Sequence, residues 1–252
     1  MGKRGSRTQS GVTAAPAYRS FRASDEMEAW GEQGWGEWLR ELDRKEARAL
    51  TAYTRNEYEF VNEMLRREMF TSTDSDIYVD PTFRDTVQQL DQALARGRVP
   101  ENVTVYRGMR IPRVYDMIRE GTLPIGQRMF DRAYISTSLS RTLAKGFANS
   151  SLPDLAHGTH RILVTIEVPA GSAGGSVQKL SRGSAEPEHE LLLARDCRFV
   201  VKGYEMIQDE DWLGSPPIAH LKLEVVREST LTERSSLYPP GWTGESDDSG
   251  WG

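Results

Sequence analysis

The chain has 252 residues, a formal net charge of −5 and an isoelectric point near 5.5. This acidic balance argues against a dedicated nucleic-acid-binding protein, which carries a basic surface. Hydrophobic residues at 38% and charged residues at 27% are typical of a globular protein with a sizeable core. With Cys197 as its one cysteine, the chain cannot form an intramolecular disulfide or a multi-cysteine metal site.

The hydropathy pattern indicates neither a membrane span nor a secretory signal peptide. No apolar run reaches the length that a spanning helix needs. The basic start, residues 1–6, is not followed by an apolar segment. We therefore expect a soluble protein that acts in a cytosol, either its own or that of a target cell.

The first hundred residues predict helices. Residues 1–24, rich in Gly, Ser and Arg, are expected to form a flexible leader. A helix is predicted to begin at Ser24, although three glycines weaken it. Apolar residues recur at helical spacing over 43–67, with a break expected near 54–56, and again over 86–95.

From residue 103 onward the pattern changes to strands separated by short helices. Strands are predicted at 103–109, within 129–138, and at 161–168, 177–180, 191–193, 199–206 and 220–226, with short helices at 115–120 and 141–148. Helices first and strands later predict an α+β fold rich in antiparallel pairing. We place one folded domain at 25–228 and a flexible acidic tail at 229–252.

An acidic stretch runs directly into leucines 191–193. Glu186, Glu188 and Glu190 alternate along it, and alternate residues of an extended strand share a face. Glu188 and Glu190 side by side at the mouth of a core would stabilise a cationic centre or take up a proton. The alternative is a solvated acidic loop, and Glu186, beyond Pro187, is expected to face solvent.

Two further segments carry candidate site residues. Arg107 ends a β-rich run next to Gly108, where a guanidinium can bind a phosphate while the backbone approaches the ligand. A plain surface arginine is the alternative. Ser136-Thr137-Ser138 places hydroxyls on a predicted strand, where they can orient a carboxylate or simply face solvent.

The order of these three segments resembles the arginine–serine–glutamate class of mono-ADP-ribosyltransferases, especially the catalytic domains of bacterial binary-toxin and C3-like toxins. The matching segments are Val105-Tyr106-Arg107-Gly108, Tyr134-Ile135-Ser136-Thr137-Ser138 and Glu188-His189-Glu190-Leu191-Leu192-Leu193. The resemblance covers about residues 25–227. It implies N-terminal helices followed by two packed, mainly antiparallel β-sheets.

The resemblance also implies roles for individual residues. Arg107 would bind a phosphate of NAD, Ser136 would orient Glu190, and Glu190 would bind the ribose 2′-hydroxyl as the catalytic acid. Glu188 would position or deprotonate the incoming nucleophile. The implied NAD-binding residues are Tyr53, Tyr58, Asn62, Arg107, Gly108, Ser136, Thr137 and Phe147. Phe147 would lie in a phosphate–nicotinamide loop and stack on the nicotinamide ring.

In the resembled family, a glutamate at the position of Glu188 accompanies arginine modification. We therefore expect a toxin or effector that uses NAD as co-substrate, needs no metal, and modifies an arginine of a target protein. The loop 181–185 has no aromatic residue, so alternatives stay open: a nucleic acid or small guanidino acceptor, or mainly NAD hydrolysis. Delivery by specialised secretion or phage, and an immunity or delivery partner, also remain open.

Overall fold

The computed structural model describes residues 17–70, 81–149, 160–180, 189–208 and 216–226. The helices are α1 (Ser24–Glu41), α2 (Arg44–Ala52), a π-helical segment (Tyr53–Glu57), α3 (Tyr58–Phe70), α4 (Pro81–Arg96), α5 (Pro112–Arg119) and α6 (Arg141–Asn149). The strands are β1 (Val103–Arg110), β2 (Arg128–Asp131), β3 (Ile135–Ser138), β4 (Arg161–Val168), β5 (Gly174–Ser176), β6 (Glu190–Leu193), β7 (Cys197–Ile207) and β8 (Ile218–Val225).

Helix α1 is continuous in spite of its three glycines because one of its faces is aromatic. Trp30, Trp35 and Trp38 are all buried. The indole of Trp35 donates to Gly174 O (3.2 Å) and that of Trp38 to Ala93 O (2.9 Å). Each buried indole removes about 150–250 Å² from water, worth about 4–6 kcal/mol, against about 1 kcal/mol lost per helical glycine. Burial therefore outweighs the weak helix propensity of this segment.

The break that the sequence predicts near 54–56 is present as the π-helical segment between α2 and α3. Helix α2 begins at a capping box, in which Asp43 accepts from the backbone of Lys45 and Glu46 and Glu46 accepts from the backbone of Asp43. The carboxylate of Glu46 also pairs with Arg96 of α4. These contacts hold α2 against α4, and the chain stays helical through the π segment into α3.

Across the described residues, eight strands form one sheet in the order β2-β7-β8-β4-β1-β3-β6-β5. Within that order only β4 and β8 are parallel neighbours. The predicted α+β class and antiparallel character are confirmed. The expected two sheets correspond to two parts of this one sheet, which we call the wide part (β2-β7-β8-β4-β1) and the narrow part (β3-β6-β5).

The two parts meet at a seam between β1 and β3. In the described ranges, Tyr106 opposite Ser138 is the single residue pair in register there. By contrast, β1 pairs with β4 along its whole length. Because strand alternation says nothing about which strands are neighbours, the sequence did not reveal that this seam keeps the two parts in one sheet.

Two local expectations change. The predicted strand within 129–138 is two strands, β2 in the wide part and β3 in the narrow part. Residues 177–180 form a turn, and the extended segment lies just before them in β5. There Gly175 lies so close to the ring of Trp38 that a Cβ would approach it to 2.3 Å, so α1 packs directly on this strand.

The ends of the chain lie largely outside the described residues. Of the predicted leader, residues 17–24 lie on the domain, with Phe21 buried and Arg19 bonded through its backbone to Asn102 and Thr104. The predicted tail, 229–252, falls wholly outside. No helix in the described part is long and apolar enough to cross a membrane.

Candidate active site

The structure brings Arg107, Ser136 and Glu190 together at the seam. Ser136 Oγ donates to Glu190 Oε1 at 2.6 Å. A guanidinium nitrogen of Arg107 donates to the backbone oxygen of Ser136, also at 2.6 Å. The three residues come from β1, β3 and β6, so the arginine and the carboxylate stand on either side of one serine.

Strand register explains this arrangement. Glu190 pairs with Ser138 across β3 and β6, and Ser136, two residues away, projects from the same face of β3. The intervening Thr137 points the other way and donates its hydroxyl to Leu191 O at 2.7 Å. Its hydroxyl therefore ties β3 to β6. The contact of Thr137 with NAD that the resemblance implies stays a prediction.

Tyr53 and Asn62 form a buried pair behind the carboxylate. The Asn62 amide donates to Tyr53 Oη at 2.9 Å, and the ring of Tyr53 packs edge-on against Tyr134 at 5.5 Å between centroids. Both members of the pair are buried. This burial leaves little of either side chain exposed, and their predicted role in lining the NAD site stays a prediction. Tyr58 is half-buried and hydrogen-bonds to Glu59.

The charged side chains of the site act electrostatically on the hydroxyl of Tyr53. Burial raises the pKa of Tyr53 above its ordinary value, and the negative charge of Glu190 adds to this effect. The positive charges of Arg107 and Arg66 act on the same pKa in the opposite direction. Two guanidinium groups and one carboxylate thus lie within electrostatic range of a single buried hydroxyl.

Arg66 is a site neighbour that was not predicted as a binding residue. It is buried, and its guanidinium pairs with the buried carboxylate of Asp131 at 2.9 Å. A sequence signal existed: Tyr58, Asn62 and Arg66 follow at helical spacing of four and share a face of α3. Because a buried charge must be paired, Arg66 also fixes α3 to the end of β2.

Gly108 lies directly under helix α6. A Cβ at this position would approach Ala144 O to 2.1 Å and Ala148 N to 2.4 Å, so the strand and the helix touch through their backbones. Phe147 lies within α6, not in the loop that the resemblance implied, because the helix continues to Asn149. The roles of Gly108 and Phe147 toward nicotinamide stay predictions.

Glu188 and Glu186 lie outside the described residues. His189, between the two predicted catalytic glutamates, has a left-handed backbone (φ 47°) and is buried. An extended strand therefore does not continue through it, and β6 begins at Glu190. The argument that Glu188 and Glu190 share a face by strand alternation is wrong at this residue.

Among the described residues, no group of three or more His, Cys, Asp or Glu side chains is placed to hold a metal ion.

Comparison with known proteins gives the family. A family model described as ADP-ribosyltransferase exoenzyme matches residues 27–215, most of the chain. The chain belongs to this family. The resemblance inferred from the three segments is thereby confirmed. The matched region contains the seam and strands β1 to β7, whereas β8 lies beyond its end.

Two curated relatives and one solved structure extend this finding. NAD(+)--arginine ADP-ribosyltransferase EFV of Enterococcus faecalis is 24% identical over 177 residues, covering 70% of this chain but only 32% of that protein. Mono-ADP-ribosyltransferase C3 of Hathewaya limosa is 25% identical over 199 residues, covering 76% of this chain and 75% of that protein. C3stau2 from S. aureus, solved with NAD, is 17% identical with a TM-score of 0.61, covering 84% of this chain and 99% of that one.

Proposed function

We propose that this protein is a mono-ADP-ribosyltransferase that cleaves NAD and transfers ADP-ribose to an arginine of a target protein. The observation that carries this proposal is the hydrogen bond of 2.6 Å between Ser136 and Glu190, made beside Arg107. It holds a buried carboxylate in one orientation at a place where the chain also presents a guanidinium.

Cleavage of NAD requires a carboxylate oriented in this way. The bond between the nicotinamide nitrogen and ribose C1′ breaks, and its electron pair leaves with neutral nicotinamide. The ribose carbon then carries oxocarbenium-like positive charge, as in glycoside cleavage. Glu190, oriented by Ser136, bonds the ribose 2′-hydroxyl and stabilises the developing charge. Because the carboxylate is buried, this stabilisation is stronger than it would be in water.

Arg107 fits the other end of the substrate. NAD carries two phosphates, and a guanidinium is the side chain best suited to bind them in a partly desolvated site. Arg66 is buried nearby, but its charge is balanced by Asp131, so Arg107 is the guanidinium that we assign to a phosphate. The solved NAD structure of C3stau2 supports NAD as the co-substrate of this chain.

The acceptor is the finer part of the proposal. A guanidinium is a poor nucleophile because it stays protonated, so it needs a carboxylate that takes its proton as its nitrogen bonds to ribose C1′. We assign that carboxylate to Glu188. The name of the E. faecalis relative, an NAD(+)--arginine ADP-ribosyltransferase, supports arginine as the acceptor. Action as a toxin or effector in a cytosol, with a delivery or immunity partner, belongs to the same proposal.

Labelled NAD tests the proposal. The unmutated protein should label target proteins in a cell lysate, and mass spectrometry should map ADP-ribose to arginine. Glu190→Gln should lower both NAD hydrolysis and transfer about 10²- to 10³-fold, the range for losing one transition-state stabilising group. Label transfer that survives undiminished in Glu190→Gln contradicts the mechanism.

A second variant separates the two carboxylates. Glu188→Gln should keep NAD hydrolysis while losing transfer, because it leaves Glu190 and Ser136 untouched. Equal loss of both activities contradicts the assigned division of roles. Label found only on RNA, on a small guanidino compound, or only as free ADP-ribose would decide for one of the alternative acceptors.

A further inference from the structure

His189, directly before Glu190, has two unfavourable features. Its backbone is left-handed at φ 47°, a conformation that residues other than glycine, asparagine and aspartate rarely adopt. Its side chain is only 3% exposed, and Nδ1 has no hydrogen-bond partner among the described residues. Strain and an unpaired buried nitrogen at one position persist only where the surroundings impose them, and they are concentrated at functional sites.

The surroundings of His189 identify what holds it. Nε2 shares a hydrogen bond of 2.7 Å with Ser24 Oγ at the start of α1. Burial lowers the pKa of His189 below its ordinary value, and nearby Glu28 opposes this only in part, so the imidazole is neutral at pH 7. The first turn of α1 thus reaches the residue next to the predicted catalytic carboxylate.

The backbone around His189 connects both neighbouring strands. His189 O accepts from Leu139 N at 3.1 Å, directly after β3, and Glu190 O accepts from Val177 N at 3.2 Å, directly after β5. These bonds make the turn at His189 the point from which Glu190 enters the sheet. A small rotation at His189 would move the Glu190 carboxylate away from Ser136.

We propose that His189 is a positioning residue: held by Ser24, its side chain fixes the left-handed turn that delivers the Glu190 carboxylate to Ser136. Helix α1 thereby sets the geometry of the active site through Ser24. This inference rests on the proposed function only for its catalytic consequence, since the positioning itself is a property of the unliganded protein.

The chain offers a matched control for the test. A second imidazole–hydroxyl hydrogen bond joins His220 Nε2 to Thr165 Oγ1 at 2.8 Å in the wide part of the sheet. Ser24→Ala and Thr165→Val each remove one such hydroxyl. His189→Asn is the companion variant, because asparagine tolerates the left-handed backbone but is too short to replace the imidazole.

Two readouts are measured on the full chain. Steady-state NAD hydrolysis gives kcat and KM, and amide hydrogen exchange reports the backbone N–H groups of Leu139 and Val177. We expect Ser24→Ala and His189→Asn to lower kcat about ten- to a hundredfold at unchanged KM, as a displaced catalytic group does. Exchange at both amides should accelerate. Thr165→Val should leave kcat and both amides unchanged.

Other results overturn the inference. If kcat and exchange in Ser24→Ala equal those of the unmutated protein, His189 does not position Glu190. If Thr165→Val lowers kcat as much as Ser24→Ala, the effect is one of general stability. If the unmutated protein neither hydrolyses nor transfers, the proposed function falls, and hydrogen exchange alone decides on His189: faster exchange in Ser24→Ala supports the positioning role and unchanged exchange refutes it.

Discussion

The wide and narrow parts of the sheet differ in how their strands are held together. In the wide part, β1 and β4 pair from Val103 opposite Val168 to Arg110 opposite Arg161. In the narrow part the strands are short, and β5 is made largely of glycine. The narrow part depends on α1, whose tryptophans pack on β5, and on the seam with β1.

The two parts of the sheet therefore contribute differently to folding stability and to catalysis. The wide part contributes long runs of paired strands. The narrow part contributes Ser136 and Glu190, and the seam between β1 and β3 keeps these two residues beside Arg107. We infer that damage inside the wide part costs folding free energy, whereas damage at the seam or in the narrow part also costs activity in molecules that remain folded.

The largest effect on activity in this comparison is expected beside the seam, from Gly108→Ala in β1. The added Cβ would meet the backbone of α6 at 2.1 Å and 2.4 Å, so α6 must move away from β1. Such overpacking costs about 1–3 kcal/mol of folding free energy, and the shift of Phe147 should lower kcat about a hundredfold. Thermal unfolding and NAD hydrolysis measure both effects.

The control for this prediction is Gly203→Ala in β7 of the wide part. At Gly203 a Cβ would meet no described atom within 4 Å. Its kcat and unfolding midpoint should stay close to those of the unmutated protein. Equal loss of activity in the two variants would contradict the special role of the seam.

Substitution of one buried leucine in each part of the sheet allows a direct comparison. Leu192 in β6 and Leu221 in β8 are both fully buried, and truncating either to alanine should cost about 2–5 kcal/mol in urea unfolding. Only Leu192→Ala should also lower kcat, because Leu192 pairs directly with Ser136. If Leu221→Ala lowers kcat equally at a temperature where both variants are folded, the separation of stability from chemistry is wrong.

Arg107→Lys tests the side-chain bond across the seam. Lysine keeps the charge but lacks the planar fork that reaches Ser136 O, so we expect kcat/KM for NAD to fall about tenfold with little change in stability. The matched control is Arg96→Lys on α4, which keeps an ion pair with Glu46 of α2 and should retain full activity.

The smallest effect concerns pH. Burial lowers the pKa of His189 in the narrow part, and burial lowers that of His220 in the wide part in spite of its hydrogen bond to Glu205. A lowered folded-state pKa means that protonation favours unfolding, so stability should decline as pH falls from the unfolded value of about 6.5 toward each folded value. Urea unfolding at pH 7.5 and pH 5 measures this decline.

Glutamine variants separate the two histidines. His189→Gln and His220→Gln should each flatten part of this pH dependence, because glutamine does not titrate. The pH dependence of NAD hydrolysis should change only in His189→Gln, because His189 adjoins Glu190. His220→Gln should change the pH dependence of stability alone. A pH dependence that persists unchanged in both variants would assign the acid sensitivity to other groups.

Local pattern predicted much of the fold. Helical spacing located α2, α3 and the break between them, and alternating β-branched residues located β1 and β4. The family could be inferred from the order of Arg107, Ser136 and Glu190 along the chain. That order can be read from the sequence without knowing how the segments between them fold.

What could not be predicted depends on contacts between distant segments. The burial of Tyr53 depends on its packing against Tyr134, which lies far along the chain. The left-handed backbone of His189 follows from its bond to Ser24. A period-two argument assumes that the backbone stays extended, and tertiary contacts override that assumption at His189.

The parallel pairing of β4 with β8 has a kinetic consequence. Parallel strands need a long crossover. Here the crossover between Val168 and Ile218 contains β5, β6 and β7, and so includes Glu190. Closing so long a connection is entropically slow. During refolding, the local helices should therefore form well before the Ser136–Glu190 bond, and far-UV circular dichroism should recover earlier than the ability to cleave NAD.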